Sequence, residues 1–236
     1  MYYKNIQDIS TDGNYKFNDL FITIDIDWAS DEVISYTLEK IKNKKIAATW
    51  FVTHETAILQ DIRETPNQEL GIHPNFNKLL DGDYSNGKNI DDVIDRIMNF
   101  VPEATSVRSH SMTQSSVIID SFYKFNLTHD CNHFVPYHSH IELSPWRHWN
   151  GIIKVPYFWE DDIELLESGI FDIEKIKNYQ GIKVFDFHPI HIFLDQNDMA
   201  NYNKARPYFN DLSKLKKFKN PLGGGVELWF DKIISL

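Results

Sequence analysis

Two aspartates one residue apart close an apolar run in Leu20-Phe21-Ile22-Thr23-Ile24-Asp25-Ile26-Asp27, and Trp28 follows. Further apolar runs end in His73, in Arg108-Ser109-His110 and in His188. Residues two apart on a strand share a face, so Asp25 and Asp27 point the same way. Buried together without a counter-charge they would repel, and a divalent cation removes that cost. The competing reading has Asp27 capping the turn into a helix at Trp28-Ala29-Ser30; the spacing of the pair favours function. Neutral imidazole suits zinc, cobalt or iron. His73 is therefore a ligand if its strand neighbours that of Asp27, and a structural histidine if not. Arg108 can pair with Asp25 through its guanidinium fork or make an ordinary salt bridge. His110 shares the face of Arg108. His188 is a candidate general acid, with His191 beyond it either in support or facing solvent. Carboxylate, imidazole and guanidinium at successive strand ends make one hydrophilic rim on an apolar sheet, which is where α/β folds keep their active sites. The pattern reads as an enzyme that uses a metal.

Weaker candidates surround this set. His54 ends the run Ala48-Thr49-Trp50-Phe51-Val52-Thr53, and His129-Asp130 ends another. His138 and His140 lie in an aromatic stretch with Trp146, Trp149, Tyr157 and Trp159, whose rings suit either sugar stacking or a packing lid. Gly223-Gly224-Gly225 has no strand before it and no Lys-Ser/Thr after it, which argues against a phosphate loop.

The elements that position these residues alternate in period. Strands are predicted at Leu20–Asp25, Ile46–Thr53, Glu69–Ile72, Thr105–Arg108, Asn126–His129, Ile152–Tyr157 and Ile182–Phe187. Between the first two, Ser30 is the expected N-cap, Asp31 and Glu32 face the positive end of the helix dipole, and Val33, Ile34, Thr37, Leu38 and Ile41 recur at helical spacing. A second helix starts at Asn89 and is closed by Pro102, a third covers Gln114–Phe125, and a last one, Val226–Leu236, docks through Leu228, Trp229 and Ile233. About seven strands alternating with helices imply parallel pairing, and 236 residues suit a single-domain α/β fold, a distorted (β/α) barrel of fewer than eight units spanning 1–236.

A formal net charge of -10 argues against nucleic acid as a partner, and the cluster Lys214-Leu215-Lys216-Lys217-Phe218-Lys219 reads as a solvated helix end. The single cysteine, Cys131, excludes an intrachain disulfide framework and a Cys-rich zinc site. The N-terminal segment lacks the apolar core of a signal peptide, and no 18-residue apolar stretch is present. The expected location is cytoplasmic, and oligomeric state is left open.

These motifs, in order from about Phe21 to His191, resemble the polysaccharide deacetylase family, the NodB-homology or carbohydrate esterase family 4 group. More narrowly they are similar to the WbmS-like proteins of surface-polysaccharide (O-antigen) gene clusters. The resemblance implies that Asp25 is the catalytic base and Asp27 a metal ligand. Thr49-Trp50-Phe51-Val52 is similar to the family's second strand, Glu69-Leu70-Gly71-Ile72-His73 to its metal-histidine motif and Val107-Arg108 to its arginine motif, with Arg108 orienting the base. Phe187-His188 matches the late histidine motif, which makes His188 the proton donor, and Trp159 takes the place of an aromatic pocket wall. Asn77 stands where the family has a second metal histidine, and His110 is the expected replacement ligand. Asn77, Trp159 and His54 are the expected substrate contacts. The implied reaction is metal-dependent hydrolysis of an N-acyl group, N-acetyl foremost, on a sugar, with zinc first and cobalt, iron or nickel as other candidates. Two other readings compete: a metal-dependent amidase of a small nitrogenous metabolite, and a metal-free sugar-binding relative.

Overall fold

The computed structural model describes residues 1–13, 16, 18–167 and 171–236. Strands are β1 (Tyr2–Lys4), β2 (Asp19–Asp25), β3 (Ala48–Val52), β4 (Gln68–Ile72), β5 (Ser106–Val107), β6 (His129–Phe134), β7 (Trp146–Arg147), β8 (Ile153–Tyr157), β9 (Trp159–Glu160) and β10 (Lys183–Phe187). All residues of β2, β3, β8 and β10 are buried, as expected of parallel strands covered on both faces. The sheet order is β7-β8-β6-β5-β4-β3-β2-β10-β9, with β1 beside β2, and every pairing is parallel except β7 with β8.

The sheet curls into a barrel through one interrupted strand. Segment 153–160 pairs with β6 through β8 and with β10 through β9, and Phe158 between them donates its N–H to Val184 O (3.3 Å). Six of the seven expected strands are β2, β3, β4, β5, β8 and β10, while β6 overlaps the expected Asn126–His129 at His129 alone. β1, β7 and β9, of two or three residues, were too short to leave a periodic signal.

The main helices pack their apolar faces on this sheet. α1 (Asp31–Lys44) buries Val33, Ile34, Thr37, Leu38 and Ile41. Ser30 precedes it in extended conformation, but its side chain caps nothing; its carbonyl receives Val33 and Ile34 N–H instead. α2 (Ile58–Glu64) and the single turn α3 (Asn77–Leu80) follow, then α4 (Ile90–Met98), where Asn89 Oδ1 accepts from Asp92 N (2.9 Å) as a true N-cap. α5 (Ser116–Lys124) ends at Asn126, whose φ of 60° sends Leu127 N back to Phe122 O (3.0 Å). That left-handed cap occupies the residues where the strand Asn126–His129 was expected, so the strand begins only at His129. The remaining helices are α6 (Asp161–Glu167), α7 (Ile173–Asn178), α8 (Pro189–Leu194), α9 (Met199–Ala205), α10 (Leu212–Leu215) and α11 (Val226–Ile233). α11 docks through Val226, Trp229, Phe230 and Ile233; Leu228 is exposed, because Phe230 takes the place on the buried stripe expected for it.

Candidate active site

The C-terminal ends of the strands carry the predicted residues to one rim. Asp25 is the last residue of β2, held level with Phe51 of β3. Beyond it the chain turns through two left-handed residues, Asp27 (φ 35°) and Trp28 (φ 55°). Such conformations cost roughly 1–3 kcal/mol each and persist where surrounding bonds enforce them. Here Ile26 N donates to Phe51 O (3.2 Å) and Trp28 N to Thr53 Oγ1 (3.1 Å). His73 follows β4, its N–H on Val52 O (2.8 Å), and Arg108 follows β5, its N–H on Ile72 O (3.1 Å). His110 N donates to Pro74 O (3.0 Å), which hooks its turn onto the loop after His73.

Three donor atoms from these elements converge. Asp27 Oδ1 lies 3.3 Å from His73 Nε2 and 3.4 Å from His110 Nδ1, and the two histidine nitrogens are 3.3 Å apart. The triangle is nearly equilateral. Ligands about 2.1 Å from a tetrahedral zinc ion are separated by about 3.4 Å, so this set fits a transition metal. Asp27 Oδ1 is buried and has no partner of hydrogen-bond geometry, as an atom reserved for a metal would be. Burial opposes ionisation of Asp27, yet the adjacent imidazoles of His110 and His73, with His188 beyond them, hold its carboxyl well below the usual range.

Beside the triangle lies a buried carboxylate–guanidinium array. Arg108, 1% exposed, places Nη1 2.9 Å from Asp25 Oδ1, 2.5 Å from Asp186 Oδ1 and 2.8 Å from Thr23 Oγ1. Its guanidinium is sandwiched between the rings of Phe51 and Tyr157, 4.7 and 4.4 Å from their centroids. Gly71 makes room for this arrangement, since a Cβ there would come within 2.8 Å of the Phe51 ring and of Ser106 O. Asp25 Oδ2 faces His73 Nδ1 at 3.4 Å.

On the opposite wall His188, preceding α8, is gripped by Asp161. Its backbone N–H and Nδ1 reach Asp161 Oδ2 and Oδ1 at 2.8 and 2.7 Å, which turns Nε2 toward the cavity, 3.7 Å from Asp27 Oδ2. Burial disfavours the imidazolium, but Asp161 overrides it and raises His188 well above the ordinary histidine range. Asp161, also buried, is lowered by His191 and His188. His191 Nδ1 lies 3.1 Å from Asp161 Oδ1, on the side away from solvent.

The resulting cavity, about 120 Å³, is lined by Asp25, Asp27, His73, Arg108, His110 and His188, with Ser109, Ser111, Met112, Tyr157, Glu160, Asp162 and Asp186. The three expected substrate contacts lie elsewhere. Trp159 is 1% exposed, packed edge-on against Phe171 and Trp229 and tilted against Phe187, with Nε1 on Glu164 Oε2 (3.1 Å). His54 bonds Thr53 Oγ1 (2.9 Å) behind the Asp27–Trp28 turn. Asn77 spends its amide on Ser111 and Thr113. Tyr157 supplies the aromatic surface that faces the cavity.

Sequence reasoning gave no role to Asp161 or Asp186. Asp186 had a usable signal, since it lies near the end of β10, two residues before His188. Asp161 had none; it reaches His188 only because β9 pairs with β10.

Comparison with known proteins agrees with this architecture. A model of the WbmS-like polysaccharide deacetylase family matches residues 22–206. The chain belongs to that family. It is similar to WbmS of Bordetella bronchiseptica, whose crystal structure is described as that of a polysaccharide deacetylase involved in O-antigen biosynthesis, with 36% identity and a TM-score of 0.92 over 99% of this chain and 97% of that one. A polysaccharide deacetylase described from Mycobacterium smegmatis shares the fold alone, with 14% identity and a TM-score of 0.51 over 72% of this chain and 77% of that one. Among curated proteins nothing matches.

Proposed function

We propose that this chain is a metal-dependent de-N-acylase that removes an N-acyl group, N-acetyl in the simplest case, from a sugar of a surface polysaccharide or its precursor. The observation that carries the reading is the triangle of Asp27 Oδ1, His73 Nε2 and His110 Nδ1 at metal-ligand spacing, beside Asp25 and opposite His188. Those three residues would hold a divalent transition metal, zinc first and cobalt, iron or nickel next, which supplies polarisation of the acyl oxygen and a more acidic water.

Asp25, oriented by Arg108, takes the proton of the attacking water as its oxygen bonds to the acyl carbon. His188, with Nδ1 fixed on Asp161, presents Nε2 to the cavity and gives its proton to the departing nitrogen. The C–N bond breaks, a carboxylic acid forms and the sugar leaves as an amine. Membership of the WbmS-like family supports a glycan substrate, and the likeness to the Bordetella protein supports a place in O-antigen assembly. We place the reaction in the cytoplasm, before export; among the described residues no helix is long and apolar enough to cross a membrane.

Plasma mass spectrometry of wild type, His73→Ala and His110→Ala, paired with amine release from N-acetylated sugars, tests the reading. About one equivalent of transition metal in wild type, lost in both variants with activity, is expected. Activity that persists in metal-free protein would overturn it, and sugar binding with neither metal nor turnover would make the chain a non-catalytic binder.

A further inference from the structure

Five carboxyls line the cavity, those of Asp25, Asp27, Glu160, Asp162 and Asp186, against one permanent cation, Arg108. That cation is already divided between Asp25 and Asp186. The charge of His188 is tied to Asp161, which does not line the cavity. A divalent ion on Asp27, His73 and His110 would offset two further charges. Three carboxyls, of Glu160, Asp162 and Asp186, remain together on one wall, and no lysine or second arginine among the described residues lines the cavity to meet them.

This wall also carries oxygens without partners. Asp186 is 1% exposed; its Oδ1 takes Arg108 and Thr23, while Oδ2 is buried and accepts nothing. Asp162 Oδ1 is likewise buried and unpaired. An unpaired buried carboxylate oxygen is costly, and its retention at a cavity wall calls for a donor from outside the chain. Burial and the neighbouring Asp162 and Asp186 raise Glu160 well above the ordinary carboxylate range, the behaviour of like charges crowded without a cation.

We propose that Glu160, Asp162 and Asp186 form an ammonium subsite, so that the sugar taken by this cavity carries a free amino group besides the acylamino group, and that a sugar carboxylate or phosphate on this side is rejected. The inference rests on the sugar substrate proposed above and names its class: a partly N-acylated amino sugar with more than one nitrogen. An ammonium brings three N–H donors and a positive charge to a wall that lacks both, whereas a hydroxyl brings one donor and no charge. An anion would add like charge to oxygens that already lack a counter-ion. The cavity volume of about 120 Å³ suits the reacting edge of one ring.

Calorimetric binding to the metal-loaded protein at pH 7 tests the subsite, with methyl glucosaminide, methyl glucoside and glucuronic acid as probes. The amine should bind about tenfold more tightly than the glucoside, with the uronate weakest. Glu160→Gln and Asp162→Asn should each erase most of that preference without lowering the melting temperature. The probe series on wild type stands without either variant. Equal binding of amine and glucoside, tighter binding of the uronate, or no amine binding at millimolar concentration would overturn the proposal. Failure of the deacetylase reading looks different: amine preference would persist while N-acyl hydrolysis was absent.

Discussion

Asn77 Nδ2 donates to Ser111 Oγ across 3.1 Å, and Asn77 Oδ1 accepts from Thr113 Oγ1 at 3.3 Å. The residue that stands where a second metal histidine was expected thus braces the turn that delivers His110. That turn needs a brace, because Ser111 (φ 56°) and Met112 (φ 53°) are both left-handed. Asn77→Ala should retain one metal equivalent in the purified protein but weaken metal affinity about tenfold, the usual cost of losing a group that orients a ligand. His110→Ala should abolish tight binding altogether. Competition with a chromogenic chelator separates the two, and an Asn77→Ala protein with wild-type affinity would sink this role.

Arg108 is the only cation between Asp25 and Asp186 among the described residues, and all three are buried. Removing one partner of a buried ion pair costs roughly 3–5 kcal/mol, because the remaining charge is stranded. Arg108→Met should therefore lower stability by about that amount and abolish turnover. Asp186→Asn in the same chain should restore about 1–3 kcal/mol of stability as a coupling energy. Denaturant melts of the four proteins in the cycle measure it; purely additive losses would show that Asp186 does not share the Arg108 charge.

Lys154 and Asp130 form a second buried ion pair, outside the cavity lining yet tied to the site. Asp130 Oδ1 accepts from Asn132 N and Nδ2 at 3.0 and 2.8 Å, and Asn132 Oδ1 accepts from Ser109 N at 2.8 Å, between Arg108 and His110. Lys154→Met should cost about 3–5 kcal/mol and also weaken metal binding through the Ser109 backbone. Unchanged metal affinity in a destabilised variant would confine the pair to a structural role.

Much of this arrangement was legible because β-strand chemistry is periodic. The step from Asp25 to Asp27, and that from Arg108 to His110, lead to one cavity, although both second residues lie past the strand ends, in tight turns. The strand order that brings His73 next to Asp27 follows from alternating apolar runs and helices. What the periodicity could not carry is the pairing of short or polar segments. β6, His129-Asp130-Cys131-Asn132-His133-Phe134, buries its first four residues despite their polarity, through Lys154, Ser109 and Ile9 O, so no hydrophobic pattern marks it. β9 has two residues, and Trp159 on it turns into the aromatic core while the next helix begins with Asp161 under His188. An indole in a motif position looked like a pocket wall; only the β9–β10 register shows which way it points.

Asp161 and His188 set the pH behaviour of the site. His188 lies well above its ordinary range, since Asp161 outweighs burial, so its contribution to stability is complete below about pH 6.5 and fades as pH rises through the folded value. Asp161 lies below its ordinary range, since His191 and His188 outweigh burial, so its contribution is complete above about pH 4 and is lost only as acid approaches the folded value. Between those limits both groups are charged and the pair stabilises the fold. Asp161→Asn removes the carboxylate, so the stability loss should be greatest in that window and shrink toward strong acid. His188 would then hold its proton less firmly and lose the orientation of Nε2. The alkaline limb of the kcat profile should move to lower pH, with kcat reduced about 10²-fold or more while metal content stays at wild-type level. Thermal melts between pH 4 and 9 and a pH–rate profile with an N-acetylated amino sugar read both effects. An alkaline limb that does not move in Asp161→Asn would mean that His188 is not the group that protonates the leaving nitrogen.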